Sequence, residues 1–200
     1  MTNALPRALV LGSTSVYRRA LLERLRIPFT VVAPDVDETT LAGETPDQTA
    51  VRLALAKARA VAHSRGDSVI IGSDQVADLY GEAIGKPGNF ERARKQLQRM
   101  SGQTVVFHTA VAVVCSAQQF VAQALVPVRV KFRTLSDVEI SHYLLADTPY
   151  DCAGSAKSEG LGIALLERID NSDPSALVGL PLIETARMLR EAGIPILGSV

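Results

Sequence analysis

The stretch Ser68-Val69-Ile70-Ile71-Gly72-Ser73-Asp74-Gln75 decides the fold. Val69, Ile70 and Ile71 form a short apolar run of the kind that makes a buried strand. An acid placed where such a strand ends is held rigidly at the edge of the sheet, facing the crevice where ligands of open α/β sheets collect. Gly72 and Ser73 let the backbone come close to whatever binds there. Asp74 is therefore the candidate centre of the chemistry, and the strand is expected to stop just before it.

Reading outward, the chain alternates strands and helices. Residues 8–11 read as a strand, the polar loop Gly12-Ser13-Thr14-Ser15 follows, and a helix runs to about Leu25 with Leu21, Leu22 and Leu25 on one face. Residues 29–33 are a second strand, followed by the acidic loop 35–40. Thr45, Pro46 and Gln48 make a strong helix start, with a cap, a proline at the first helical position and a capping box. That helix runs to about Ser64. Past Asp74, residues 76–80 and 83–85 form a small hairpin around Gly81-Glu82. Residues 91–100 form a helix stopped by Gly102.

Residues 104–116 and 120–132 are two long strands around a short turn, an antiparallel hairpin that makes the sheet mixed. Ser136 and Glu139 open a further helix to about Ala146. Residues 151–162 are a Gly- and Ser-rich loop, 163–169 a strand and 181–192 the last helix. The expected fold is α/β, a mixed twisted sheet with flanking helices. Its 200 residues are expected to form one domain of two lobes around a central cleft, with a weak boundary near residues 87–90.

Composition narrows the function. Hydrophobic residues make up 47% of the chain, enough for a sizeable core. The 21 basic and 21 acidic residues cancel, which argues against binding a nucleic-acid polymer but leaves room for a small anion held by local cations. Cys115 and Cys152, the only cysteines, have neither zinc spacing nor disulfide-scaffold density, and read as reduced thiols of a cytoplasmic protein. The first seven residues carry no apolar leader, and no run is long enough to span a bilayer.

Five segments could carry chemistry. In Gly12-Ser13-Thr14-Ser15-Val16-Tyr17-Arg18-Arg19 a small-polar loop opens a helix whose free N–H groups favour anions. Two arginines in that first turn oppose the helix dipole, which suggests an anion between them. Two solvated arginines explain the segment equally well. It is not a P-loop, because no Gly-Lys-Ser/Thr follows. Asp35-Val36-Asp37-Glu38 places oxygens as a hard divalent cation takes them, one or two carboxylates completed by phosphate. On spacing alone a solvated acidic loop is the more common reading.

Lys57 lies in a helix rich in Ala and Leu, and Pro87 could pre-aim Lys86, while a lone lysine also reads as a surface charge. The loop 152–160 could bring Lys157 and Glu159 to a cleft, where a carboxylate would match the N–H edge of guanine. It could equally be a surface loop. His63, His108 and His142 are scattered, which favours structural roles. No Gly-x-Ser-x-Gly elbow is present, against a serine hydrolase.

Together these segments resemble the Maf family of nucleoside triphosphate pyrophosphatases. The match runs through Leu11-Gly12-Ser13-Thr14-Ser15 with Arg18-Arg19, Val36-Asp37-Glu38, Lys57-Ala58, Gly72-Ser73-Asp74, Gly85-Lys86-Pro87 and Gly179-Leu180-Pro181. The chain looks most like the YceF-type subfamily, which hydrolyses 7-methyl-GTP to 7-methyl-GMP and pyrophosphate. Val16 departs from the usual Pro, and Tyr17 replaces a Trp while keeping an aromatic ring.

The resemblance implies a Maf/ITPase-like fold and a divalent metal cofactor, Mg²⁺, Mn²⁺ or Co²⁺. It implies that Asp74 is the proton acceptor that activates water, or a metal ligand together with Glu38. It also implies that Ser13, Arg18, Lys57 and Lys86 bind phosphate, and that Tyr17, Gln75 and Glu159 set specificity. The partner is then a nucleoside triphosphate, with a homodimer left open. The family's dTTP/UTP activity and a non-catalytic nucleotide-binding regulator of cell division are the alternatives.

Overall fold

The computed structural model describes residues 7–198. The segment 1–6, most of the terminus read above as lacking a leader, lies outside the described residues. The centre is a seven-stranded mixed sheet. Its strands are β1 (Leu9–Gly12), β2 (Thr30–Val32), β3 (Val69–Leu79), β4 (Glu82–Ile84), β5 (Thr104–Cys115), β6 (Phe120–Phe132) and β7 (Leu166–Asp170). Their order is β2-β1-β3-β5-β6-β7, with β4 paired to β3. The helices are α1 (Val16–Glu23), α2 (Pro46–Ala62), α3 (Phe90–Met100), α4 (Asp137–Asp147) and α5 (Leu182–Glu191). None of the helices in the described residues is long and apolar enough to cross a membrane.

The sheet is parallel at β2-β1-β3 and antiparallel from β3 onward. Three packed regions cover it. Ala50, Ala54, Ala58 and Val61 of α2 pack on one face against Val10, Ile70, Ala110 and Ala112. On the opposite face, Leu21 and Leu22 of α1 and Met188 and Leu189 of α5 cover Leu11, Ile71, Val111 and Val113. At the other end, Leu97 of α3 and Leu144 of α4 pack against Phe107, Val128, Val130 and Phe132.

Two sequence expectations are corrected. First, β3 does not end before Asp74. It runs on to Leu79, because β5 continues to pair with it from Ile70↔Val114 to Asp78↔Val106. What stops there is its parallel neighbour, since β1 makes its last pair at Gly12↔Gly72. Asp74 lies two residues beyond that point, on a stretch of β3 that β1 no longer flanks. The expected hairpin partner of residues 83–85 is therefore the distal part of β3 itself.

Second, the last strand begins at Leu166 and not at Ile163, because Leu161–Leu165 form a 3-10 turn. Gly162 permits the close approach of this turn to the preceding loop: a Cβ there would lie 2.5 Å from the carbonyl oxygen of Lys157.

Candidate active site

The site begins with a missing side chain. A Cβ on Gly72 would lie 2.2 Å from the carbonyl oxygen of Ala54 and 2.5 Å from the nitrogen of Ala58. Helix α2 therefore rests directly on the backbone of β3. Asp74, two residues on, shares that face of the strand, and Lys57, next to Ala58, is brought to it. Lys57 Nζ donates to Asp74 Oδ1 at 2.6 Å. The same ammonium lies 2.8 Å from Glu38 Oε1, supplied by the acidic loop. Lys57 and Asp74 are 5% and 7% exposed, so this is a buried charge pair whose second carboxylate reaches in from the surface.

Other cations surround it. Burial opposes ionisation of Glu38, but the Lys57 ammonium, with Lys86 and Arg18 acting through space, holds its carboxyl below the usual range. Burial pulls the Arg18 guanidinium down, and Asp74 and Glu38 oppose that pull, so Arg18 stands in the field of both acids. It is aimed by its own bonds. Its Nε donates to the carbonyl of Gly179 at 2.9 Å, and Nη1 donates to Ser13 Oγ at 3.4 Å. Ser15 caps α1 by accepting from the Arg18 N–H at 3.3 Å. Ser13, Arg18, Glu38, Lys57, Asp74 and Lys86 are thus gathered from five separate segments.

Gln75 points the other way, as successive residues of a strand must. Its side-chain amide donates to Thr109 Oγ1 at 2.9 Å and to the carbonyls of Ala176 and Leu177 at 3.1 and 2.9 Å. Thr109, fully buried, donates in turn to the carbonyl of Ala176 at 2.9 Å. Ser73 Oγ donates to the carbonyls of Ala110 and Gly179 at 2.7 and 3.0 Å. The Gly179 carbonyl therefore receives both Ser73 and Arg18, and the turn 176–179 is fastened to the sheet from below. Sequence reasoning missed Thr109 and the positioning part of Ser73. The available signal was a hydroxyl within an otherwise apolar strand.

Tyr17, in the first turn of α1, donates its hydroxyl to Asp151 Oδ2 at 3.1 Å. Lys157 Nζ lies 5.8 Å from the centre of the Tyr17 ring. Burial and the neighbouring Cys152 and Asp151 push the Tyr17 phenol above its ordinary range. Glu159 is exposed, and its carboxylate accepts from the adjacent Ser158 hydroxyl at 3.4 Å. It makes no hydrogen bond or ion pair with Tyr17 or Asp74. His108 pairs with Asp78 at 3.2 Å, in keeping with a structural role. Cys115 and Cys152 are unpaired.

A helix-covered mixed sheet that gathers two carboxylates, two lysines and an arginine beyond the end of a parallel strand makes an α/β protein with a cluster of charges at that strand's end. The chain belongs to the family described as Maf-like protein, whose model matches residues 8–192. A protein of Albidiferax ferrireducens named 7-methyl-GTP pyrophosphatase is 64% identical, covering 100% of both chains. Proteins of the same name from Polaromonas sp. and Burkholderia pseudomallei are 66% and 57% identical. They cover 94% and 97% of this chain and 86% and 92% of their own. A solved structure, the Staphylococcus aureus Ham1 protein, aligns at TM-score 0.47 and 16% identity, covering 64% of this chain and 73% of its own.

Proposed function

We propose that this chain is a metal-dependent nucleoside triphosphate pyrophosphatase that converts 7-methyl-GTP and water to 7-methyl-GMP and pyrophosphate in the cytoplasm. The observation that carries the reading is the convergence of Asp74 and Glu38 on one ammonium, in a chain 64% identical end to end to a protein named for that activity. We read the chain as one domain of two lobes with this site between them, and its mass in solution distinguishes a monomer from a homodimer.

Asp74 is positioned to take the proton of an attacking water. Water adds across one phosphoanhydride bond, the proton passes to a carboxylate oxygen of Asp74, and the leaving phosphate departs as pyrophosphate. Arg18, Lys57 and Lys86 supply positive charge where the phosphate oxygens gain negative charge. Ser13 and the Gly179 carbonyl keep Arg18 pointed at the crevice.

The donor set suits a hard divalent cation. Among the described residues there is no group of three or more His, Cys, Asp or Glu able to hold a metal. Asp74 and Glu38 supply the one or two carboxylates that Mg²⁺ ordinarily takes before phosphate and water complete its shell. When bound there, the ion would neutralise phosphate charge and ease deprotonation of water. Tyr17 would stack on the base, and Glu159 would meet its N–H edge when the loop 152–160 closes on it. Gln75 acts by holding the turn 176–179.

The test is a panel of 7-methyl-GTP, GTP, dTTP and UTP, each with Mg²⁺, Mn²⁺ or Co²⁺, scored for pyrophosphate per enzyme. The account expects many turnovers, a metal requirement and preference for 7-methyl-GTP. Preference for dTTP or UTP would reassign the substrate. Binding without turnover would identify a regulator.

A further inference from the structure

Outside the triphosphate crevice, Tyr17, Asp151 and Lys157 form a second cluster. The Tyr17 hydroxyl bond to Asp151 ties the start of α1 to a loop 134 residues further on. Lys157 Nζ lies over the Tyr17 ring and 3.7 Å from Asp151 Oδ1. An aromatic face with a carboxylate at its hydroxyl end attracts positive charge twice, through the ring quadrupole and through the carboxylate. In the free chain the cation at that place is Lys157. Its ammonium also donates to the carbonyl of Asp147 at 3.2 Å, so it keeps a partner when it leaves the ring.

Burial opposes the charge on Asp151, but bonds from the Cys152 thiol and from its own backbone N–H, with Lys157 and Tyr17, hold its carboxyl below the usual range. It is therefore anionic at neutral pH.

We propose that Tyr17, Asp151 and Lys157 form a cation-selective base subsite, in which a positively charged purine takes the place of Lys157 and Asp151 distinguishes 7-methylguanine from guanine. The inference rests on the 7-methyl-GTP reading above. Methylation at N7 gives the ring a positive charge that guanine lacks. Both bases stack on Tyr17, but only the charged one is attracted by Asp151 and repelled by Lys157. Loss of Asp151 and loss of Lys157 must then act in opposite directions, which a merely structural role would not produce.

The experiment measures kcat/KM for 7-methyl-GTP and for GTP in the wild type, Asp151→Asn and Lys157→Met. The expected result is a 7-methyl-GTP to GTP ratio lowered about threefold by Asp151→Asn, the scale of one solvent-exposed charge pair, and raised by Lys157→Met. A wild type that discriminates while Asp151→Asn keeps the same ratio overturns this inference and leaves the function standing. So does a Lys157→Met ratio that falls. A wild type that treats the two nucleotides alike overturns the 7-methyl-GTP reading, and this inference with it.

Discussion

Lys57 Nζ lies 2.6 Å from Asp74 Oδ1, and it reaches that place because nothing but a hydrogen separates β3 from α2 at Gly72. The helix start sets how far along α2 Lys57 falls. Pro46 opens the helix, and the Gln48 side chain accepts from the Thr45 N–H at 3.1 Å. The small residues Ala50, Ala54 and Ala58 then let the helix lie flat on the sheet. Packing and chemistry share one seam, and a change to either should be felt in both.

Gly72→Ala should therefore damage stability and activity together. Its Cβ would overlap backbone atoms of α2, which cannot rotate away as a side chain can. The expected cost is about 3 kcal/mol or more, at the upper end of overpacking effects. Denaturant unfolding and pyrophosphate release measured on the same sample check this. A variant with wild-type stability would show that α2 is free to lift.

Lys57→Met should cost stability at neutral pH even though it makes the site more apolar. It leaves the carboxylate of Asp74 buried without its counter-charge, a change that typically destabilises by about 3–5 kcal/mol. The double variant Lys57→Met with Asp74→Asn should recover much of that loss. Urea midpoints of the two variants give the comparison directly.

Glu44 and Arg52 make a prediction about pH. Arg52 donates to Glu44 through Nε and Nη2 at 2.5 and 2.7 Å, and this bond, with help from Leu41 and Thr49, holds the Glu44 carboxyl down at about 2. The folded value lies below the ordinary 4.5. Its contribution to stability is thus fully present above about pH 4.5 and is lost as pH falls toward about 2. The stability gap between the wild type and Glu44→Gln should be widest near neutral pH and should close on acidification. A gap that widens at low pH would contradict the assignment.

Much of this was legible in the sequence because it was written locally. The caps at Thr45 and Ser136 and the two long strands of the β5-β6 hairpin come from short-range patterns, and the structure has them within a residue or so. The end of β3 was not legible. Gly72-Ser73-Asp74 looks like a strand terminus, and only the pairing with β5, about 40 residues away in sequence, shows that it continues. The opposition of Asp74 and Gln75 was hidden for the same reason: once the strand continues, neighbours must face apart. The bond between Tyr17 and Asp151 joins the first turn of α1 to a distant loop with no shared pattern, so nothing in the sequence pointed to it.

If Asp74 takes the proton of the water that cleaves 7-methyl-GTP, removing its basicity must sharply slow turnover. The direct measurement is pyrophosphate release from 7-methyl-GTP with Mg²⁺ present, comparing the wild type with Asp74→Asn, a change that keeps the shape of the side chain and removes its basicity. The expected result is a folded variant whose turnover falls roughly a hundred- to ten-thousand-fold. A folded variant that releases pyrophosphate at near the wild-type rate would contradict it.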